Sequence, residues 1–329
     1  MRNFCTYFDH NYLPRAMVML ESLHEHCPDA HVHVLCLSPE CHGALRAIAY
    51  PFVTAYPLSD LEAADPELAA TRSTRTLVAY YFTLTPCWPW HLLRRAGLGE
   101  VTYLDADMMF FSSPEPLFAE AGEAAVIVTP HKFSPRLRYL DRFGLFNVSW
   151  LTFRNVPEGM ACLGWYREAC LEWCHDRVEG DRFADQKYLD AFPEKFAGVR
   201  IMRHPGGGVA PWNLEGTAFG MGEAGGQGEL LIDGQPLIFY HAHGLKHLWG
   251  PLYSSGLLEY GTGMDTPEKR RLLARYLGSY ANALKRAAAL VSGSGFSSIR
   301  YAAFPSRSPF RLCGRIFREY RAKTLIFSV

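Results

Sequence analysis

Two carboxylates, two residues apart inside an apolar run, constrain this chain more than any other feature. Residues 101–116 read VTYLDADMMFFSSPEP. Val101, Thr102, Tyr103 and Leu104 favour a strand, and Met108, Met109, Phe110 and Phe111 continue the apolar character. Asp105 and Asp107 are therefore charges in a segment that reads as buried. An isolated buried carboxylate is costly, so each needs a compensating partner, and a metal ion is the most economical one. An Asp-x-Asp at a strand end presents hard oxygen ligands to Mn²⁺ or Mg²⁺, with bound phosphates to complete the shell. The competing reading is that both carboxylates cap a turn or a following helix.

The flanking sequence reads as a frame for that strand. Residues 4–8 form a buried first strand, and residues 13–26 space Leu13, Met17, Leu20 and Leu23 as a helix does. Further strands are expected at 30–37, 52–56, 124–129, 146–153, 199–202 and 237–240, with helices at 39–49 and 159–177. A helix-like stretch over 71–84, opened by Arg72 and Arg75, is expected to break at Pro86-Cys87-Trp88-Pro89-Trp90 before a short helix at 91–96. The Gly-rich residues 216–228 read as a surface excursion. Strands alternating with helices predict an α/β chain with a mainly parallel central sheet flanked by helices, and ligands at the carboxyl ends of its strands. No Gly-rich turn follows the first strand, which argues against a dinucleotide site.

Composition narrows the function classes. The 329 residues carry 33 Lys+Arg and 33 Asp+Glu, so no global field favours nucleic acid. The nine cysteines are an odd number without a C-x-x-C pair, which predicts reduced, mostly buried thiols. Met1-Arg2-Asn3 leads directly into the first strand without an apolar leader, and no run reaches the roughly 18 apolar residues of a membrane span. A cytoplasmic protein is expected.

Three expected strands end in residues suited to metal or phosphate: Asp9 and Asn11, Asp105 and Asp107, and His241 and His243. Imidazole suits Mn²⁺ better than Mg²⁺. Gly244 permits close backbone approach to a ligand, and Lys246 offers a point charge to phosphate.

With these residues in place, the chain resembles nucleotide-sugar glycosyltransferases of the GT-A fold, most closely the retaining family 8 type. Thr6-Tyr7-Phe8-Asp9-His10-Asn11-Tyr12 resembles the strand and loop that receive uridine. Tyr103-Leu104-Asp105-Ala106-Asp107 resembles the family's metal motif. Asp185-Gln186 is similar to the Asp-Gln that faces the donor sugar, and His241-Ala242-His243-Gly244, with Lys246 and Trp249, resembles the family's His-x-x-Gly-x-x-Lys-Pro-Trp. The matches span residues 4 to 249 in the expected order. Lys246 falls one place early, where His247 holds the family's lysine position, and Leu248 replaces the proline. The family's arginine after paired tyrosines is missing beyond Tyr80-Tyr81, and Arg72 or Arg75 is the nearest substitute.

The resemblance implies transfer of a sugar from a UDP-sugar to an acceptor hydroxyl, with retention. It implies Mn²⁺ (or Mg²⁺) held by Asp105, Asp107 and His241, with His243 an alternative ligand. Thr6, Tyr7, Asp9, Asn11, Arg75, Asp105, Ala106, Asn147, Gly244 and Lys246 are the implied donor contacts, and Asp185 and Gln186 the groups nearest the reacting carbon. A helix N-cap is the competing reading of Asp185. Trp212 and Asn213 are candidates for an acceptor wall. A haloacid-dehalogenase phosphatase would carry its Asp-x-Asp near the N-terminus, and a nucleotidyltransferase would carry a Gly-rich loop. A non-catalytic nucleotide-sugar or glycan binder is separated from an enzyme only by turnover.

Composition shifts near residue 266. Residues 1–265 read as one glycosyltransferase domain and 266–329 as a helical, basic and aromatic extension. A helix is expected over 267–291, a flexible break at 292–295, and then a stretch rich in Arg and Phe. That stretch is either a basic helix packed on the domain or a surface for anionic lipid on the inner face of a membrane. The latter suits a lipid-linked or cell-envelope glycan acceptor.

Overall fold

The computed structural model describes residues 1–222, 228–292 and 308–327. The expected break and the first part of the basic stretch, residues 293–307, lie outside the described residues, as does the centre of the Gly-rich excursion. The chain divides into two compact units. Residues 1–8, 27–105 and 114–204 form the first, and residues 9–26, 106–113 and 205–329 the second.

The strands run in chain order β1 (Arg2–Phe8), β2 (Ala30–Cys36), β3 (Val53–Pro57), β4 (Glu100–Leu104), β5 (Met108–Phe110), β6 (Val126–Pro130), β7 (Phe146–Arg154) and β8 (Val199–Ile201). The first unit is built on a seven-stranded sheet of order β3-β2-β1-β4-β7-β6-β8. Strands β3, β2, β1 and β4 pair in parallel, β7 runs antiparallel to β4 and β6, and β8 is again parallel to β6. The sheet is mainly parallel and flanked by helices, as its apolar strands require, since both faces must be covered.

Its core is aromatic. Trp88, Trp150, Phe153, Tyr166 and Phe192 are almost fully buried. Phe4 and Phe118 meet the Trp150 ring at centroid distances of 5.9 and 5.3 Å. Truncating one such ring to alanine costs about 3–5 kcal/mol.

The expected break at Pro86 does not occur. One helix runs Leu77–Arg95 with Pro86 and Pro89 inside it, and Thr76 caps its start by accepting from the Ala79 amide. Each proline removes one helical donor, yet Tyr80, Leu84, Cys87, Trp88 and Leu92 all bury against the unit's core, and the Trp88 indole donates to the His33 carbonyl at 3.2 Å. Burial along the helix outweighs the two lost bonds. Arg72 and Arg75 lie between a shorter helix, Pro66–Thr71, and this one.

The second unit begins with the helix Leu13–His26, which packs on β5 and on the long helix Pro267–Ser292. Its later strands are β9 (Phe219–Gly222), β10 (Glu229–Ile232), β11 (Gln235–Pro236), β12 (Phe239–His241), β13 (Lys246–Trp249), β14 (Leu252–Ser254) and β15 (Leu325–Phe327). The described flanks of the Gly-rich excursion therefore pair as the antiparallel strands β9 and β10. A further helix, Pro309–Arg321, precedes β15, which pairs with β14. All nine cysteines are free thiols, and only Cys313 is exposed.

Candidate functional site

The strongest cluster lies in the second unit, where two short strands meet. β5 and β12 pair antiparallel, with Met108 opposite His241 and Phe110 opposite Phe239. The pairing extends one step, because the Ala242 amide donates to the Asp107 carbonyl at 2.9 Å. Residues about 135 apart in sequence are thereby brought side by side. Asp107, His241 and His243 each offer a ligand atom, and those atoms lie within 4.8 Å of one another.

Asp107 and His241 are buried, while His243 reaches solvent. The His241 Nε2 is 3.0 Å from the Asp107 carboxylate. Burial alone would raise the Asp107 carboxyl, but the charge of and hydrogen bond from His241 hold it well below the usual carboxylate range. Crowding by its neighbours, together with His241 beside it, lowers His243 to about 4. A neutral imidazole is the form that ligates a metal. Trp212 stands edge-on to both rings, at centroid distances of 5.3 Å from His241 and 5.6 Å from His243. One carboxylate and two imidazoles fit a divalent transition ion such as Mn²⁺, and fit Mg²⁺ less well.

The turn after His241 depends on two glycines. Gly244 adopts φ 81° and Gly256 φ 83°. A Cβ on Gly256 would stand 2.5 Å from the His243 carbonyl oxygen. Lys246 follows on β13, half-buried, and forms no ion pair among the described residues.

Two further expected contacts belong to this unit. Asp9 accepts from the Asn11 and Tyr12 amides at 2.9 and 3.2 Å and from the Asn11 side chain at 3.0 Å, so it holds its own loop. Asn213 likewise serves the backbone, bonding the Ala210 amide and the Gly208 carbonyl.

The sequence reading missed Arg15. It lies in the run Leu13–Leu20, every residue of which is buried, and its guanidinium donates to the Leu245 carbonyl at 2.9 Å. A lone charge in a wholly apolar helical run was the available signal.

A second group of expected residues gathers in the first unit. Asp185 occupies the N-cap position of the short helix Gln186–Ala191 without a side-chain bond to the N2 or N3 amide. It is 2% exposed, and its Oδ2 meets no hydrogen-bond partner among the described residues. Burial pushes its carboxyl up to about 7, and the Asp105 charge adds to that against a hydrogen bond with Thr85. Thr85 also bonds the Tyr7 hydroxyl at 2.9 Å, and the Tyr103 hydroxyl donates to Asp105 at 3.0 Å. The Tyr7 and Tyr103 rings lie 5.5 Å apart.

Other residues of this unit have defined places. Thr6 is buried on β1 with its hydroxyl unbonded among the described residues. Asn147 is buried, its oxygen taken by the Ser149 amide and hydroxyl and its Nδ2 without a partner among the described residues. Gln186 donates to the Phe143 carbonyl at 3.0 Å. Arg75 is spent on the Thr83 hydroxyl and the Leu171 carbonyl, and Arg72 on an ion pair with Glu62 at 2.6 Å. Ala106 is a buried link between Asp105 and Asp107.

No family model matches the chain. The solved structure of the galactosyltransferase LgtC, in complex with donor and acceptor sugar analogs, superposes with a TM-score of 0.54 at 16% identity, covering 85% of this chain and 95% of that one. That likeness shows the fold, which is the GT-A fold. In sequence, the chain is 29% identical over 252 residues to the Bacillus subtilis (strain 168) protein YfnF, covering 74% of this chain and 81% of YfnF. It is 35% identical over 246 residues to YfnD of the same strain, described as uncharacterized, covering 74% of this chain and 77% of YfnD. The chain belongs to the same protein family as YfnD.

Proposed function

We propose that the protein is a metal-dependent glycosyltransferase that moves a sugar from a UDP-sugar to an acceptor hydroxyl with retention. The observation that carries this reading is the Asp107, His241 and His243 trio at the β5–β12 pairing of a GT-A chain. Asp107 and His241 would hold the cation, with His243 as third ligand, and Asp105 offers a carboxylate to the donor. When bound, Mn²⁺ supplies Lewis-acid stabilisation of the charge that develops on the departing diphosphate. Lys246 adds a fixed positive charge for the same oxygens.

Asp9 and Asn11 shape the loop for uridine, and Thr6, Tyr7 and Asn147 offer hydroxyl and amide groups to the donor. Asp185 and Gln186 face the reacting carbon. A buried acid near neutrality can donate a hydrogen bond to a sugar oxygen, which suits it to orient the donor. Trp212 supplies an apolar wall beside the histidines. The acceptor is a cell-envelope glycan or a lipid-linked one, reached at an anionic membrane surface through the helix Pro309–Arg321. Among the described residues no helix is long and apolar enough to cross a membrane.

UDP release from a panel of UDP-sugars tests the proposal. The protein is expected to release UDP with Mn²⁺ and not with chelator, and Asp107→Ala should lower the rate roughly a hundredfold or more. If Mn²⁺ and UDP together neither bind nor stabilise the protein, the assignment is wrong.

A further inference from the structure

Arg15 presents a charge problem that the proposed roles leave unsolved. It is 4% exposed. The one hydrogen bond of its guanidinium among the described residues goes to the Leu245 carbonyl, and no carboxylate there lies within ion-pair distance of it. Aromatic rings flank it instead, with Tyr12 4.8 Å and Tyr280 5.6 Å from the guanidinium carbon. Burying a cation with so few compensating groups is expensive. A guanidinium has five N–H donors, and one carbonyl accepts at most two of them.

The location gives that charge a use. The Leu245 amide bonds the Ala242 carbonyl, and the Ala242 amide bonds the Asp107 carbonyl, so a short run of hydrogen bonds connects Arg15 to the trio. Arg15 and Asp107 also interact electrostatically. Lys246, one residue beyond Leu245, is a second cation with no ion pair among the described residues. The two arginines nearest the paired tyrosines are both committed, Arg72 to Glu62 and Arg75 to Thr83 and Leu171.

We infer that Arg15 is the guanidinium that takes a diphosphate at the Asp107, His241 and His243 site, in place of an arginine near the paired tyrosines. The Leu245 bond holds it in position, and its planar fork would match the oxygens of a phosphate. An incoming diphosphate supplies the negative charge that the buried guanidinium lacks. This inference rests on the reading of that site as one for a nucleotide diphosphate.

Equilibrium binding to the full chain tests it, with Mn²⁺ alone, inorganic pyrophosphate, and UDP as separate probes. In the presence of Mn²⁺, Arg15→Met should weaken pyrophosphate and UDP by roughly tenfold or more, while Mn²⁺ alone binds at least as tightly as before. Arg15→Lys, which keeps the charge without the fork, should recover part of the loss and covers the case in which Arg15→Met does not fold. Unchanged diphosphate affinity in both variants overturns the inference, as does an equal loss of Mn²⁺ alone, which marks a packing role. Absence of any diphosphate binding by the unmodified protein overturns it too. Diphosphate binding that needs Arg15, without UDP release from any UDP-sugar, removes the glycosyltransferase reading and leaves Arg15 in place. UDP release with Arg15→Met binding unchanged does the reverse.

Discussion

At the scale of single residues, Asp185 gives the sharpest expectation. Its folded-state carboxyl titrates near 7, far above an exposed aspartate. Below about pH 4 both folded and unfolded chains hold that proton, so it has no effect on stability. As pH rises toward 7 the unfolded chain releases it first, and stability falls; above 7 the cost is complete. Asp185→Asn removes this dependence. Urea unfolding at pH 5 and pH 8 should show the variant gaining relative to the parent at the higher pH, by about 2–3 kcal/mol. Parallel pH profiles for the two proteins would sink the idea. The sequence named Asp185 but not its state, because Thr85, Tyr7, Tyr103 and Asp105 come from separate elements and only folding gathers them. Arg15 went unnoticed for a related reason. The lone charge in the apolar run Leu13–Leu20 was visible, but the Leu245 carbonyl and the Tyr280 ring that surround it come from far along the chain.

At the scale of elements, the turn from β12 to β13 decides whether the trio forms. Gly256 lies against the His243 carbonyl with a positive φ, so Gly256→Ala meets both a clash and backbone strain. That substitution should cost about 1–3 kcal/mol and loosen Mn²⁺ binding, while Gly216→Ala, in open space, should change neither. Calorimetric Mn²⁺ titration of both variants checks this, and an unaltered affinity in Gly256→Ala would show that the turn does not govern the site. The apolar strands β1, β2, β4, β6 and β7 were legible because alternating or continuous β-branched and aromatic runs leave few other options. The helix Leu77–Arg95 was not, since proline is a local signal and burial of its aromatic face is a tertiary one. The β5–β12 pairing was legible only through its ends, where Asp107 and His241 carry chemistry; their register depends on contacts distant in sequence.

At the scale of the whole molecule, charge and exposure are distributed oddly. Lys+Arg and Asp+Glu balance at 33 each, so attraction to an anionic surface must come from a local patch. The helix Pro309–Arg321 supplies one, and it is amphipathic in an inverted sense. Its buried residues are charged: Arg315 bonds Glu319 and Glu259, and Glu319 also receives the Ser254 and Thr324 hydroxyls. Its outward residues are Phe310, Phe317 and Tyr320, at 89%, 60% and 70% exposure, with Arg311, Arg318 and Arg321 beside them. Exposed rings amid arginines match the boundary between lipid headgroups and acyl chains. The protein should therefore sediment with vesicles containing phosphatidylserine and not with neutral phosphatidylcholine vesicles, and added salt should weaken the binding. Phe317→Ala combined with Tyr320→Ala should reduce binding several-fold without changing the UDP release rate on a soluble acceptor. Arg318→Glu combined with Arg321→Glu should abolish the preference for anionic lipid. Equal binding to both vesicle types, or binding indifferent to these four side chains, would mean that the aromatic face serves another partner and that the acceptor need not be presented at a membrane.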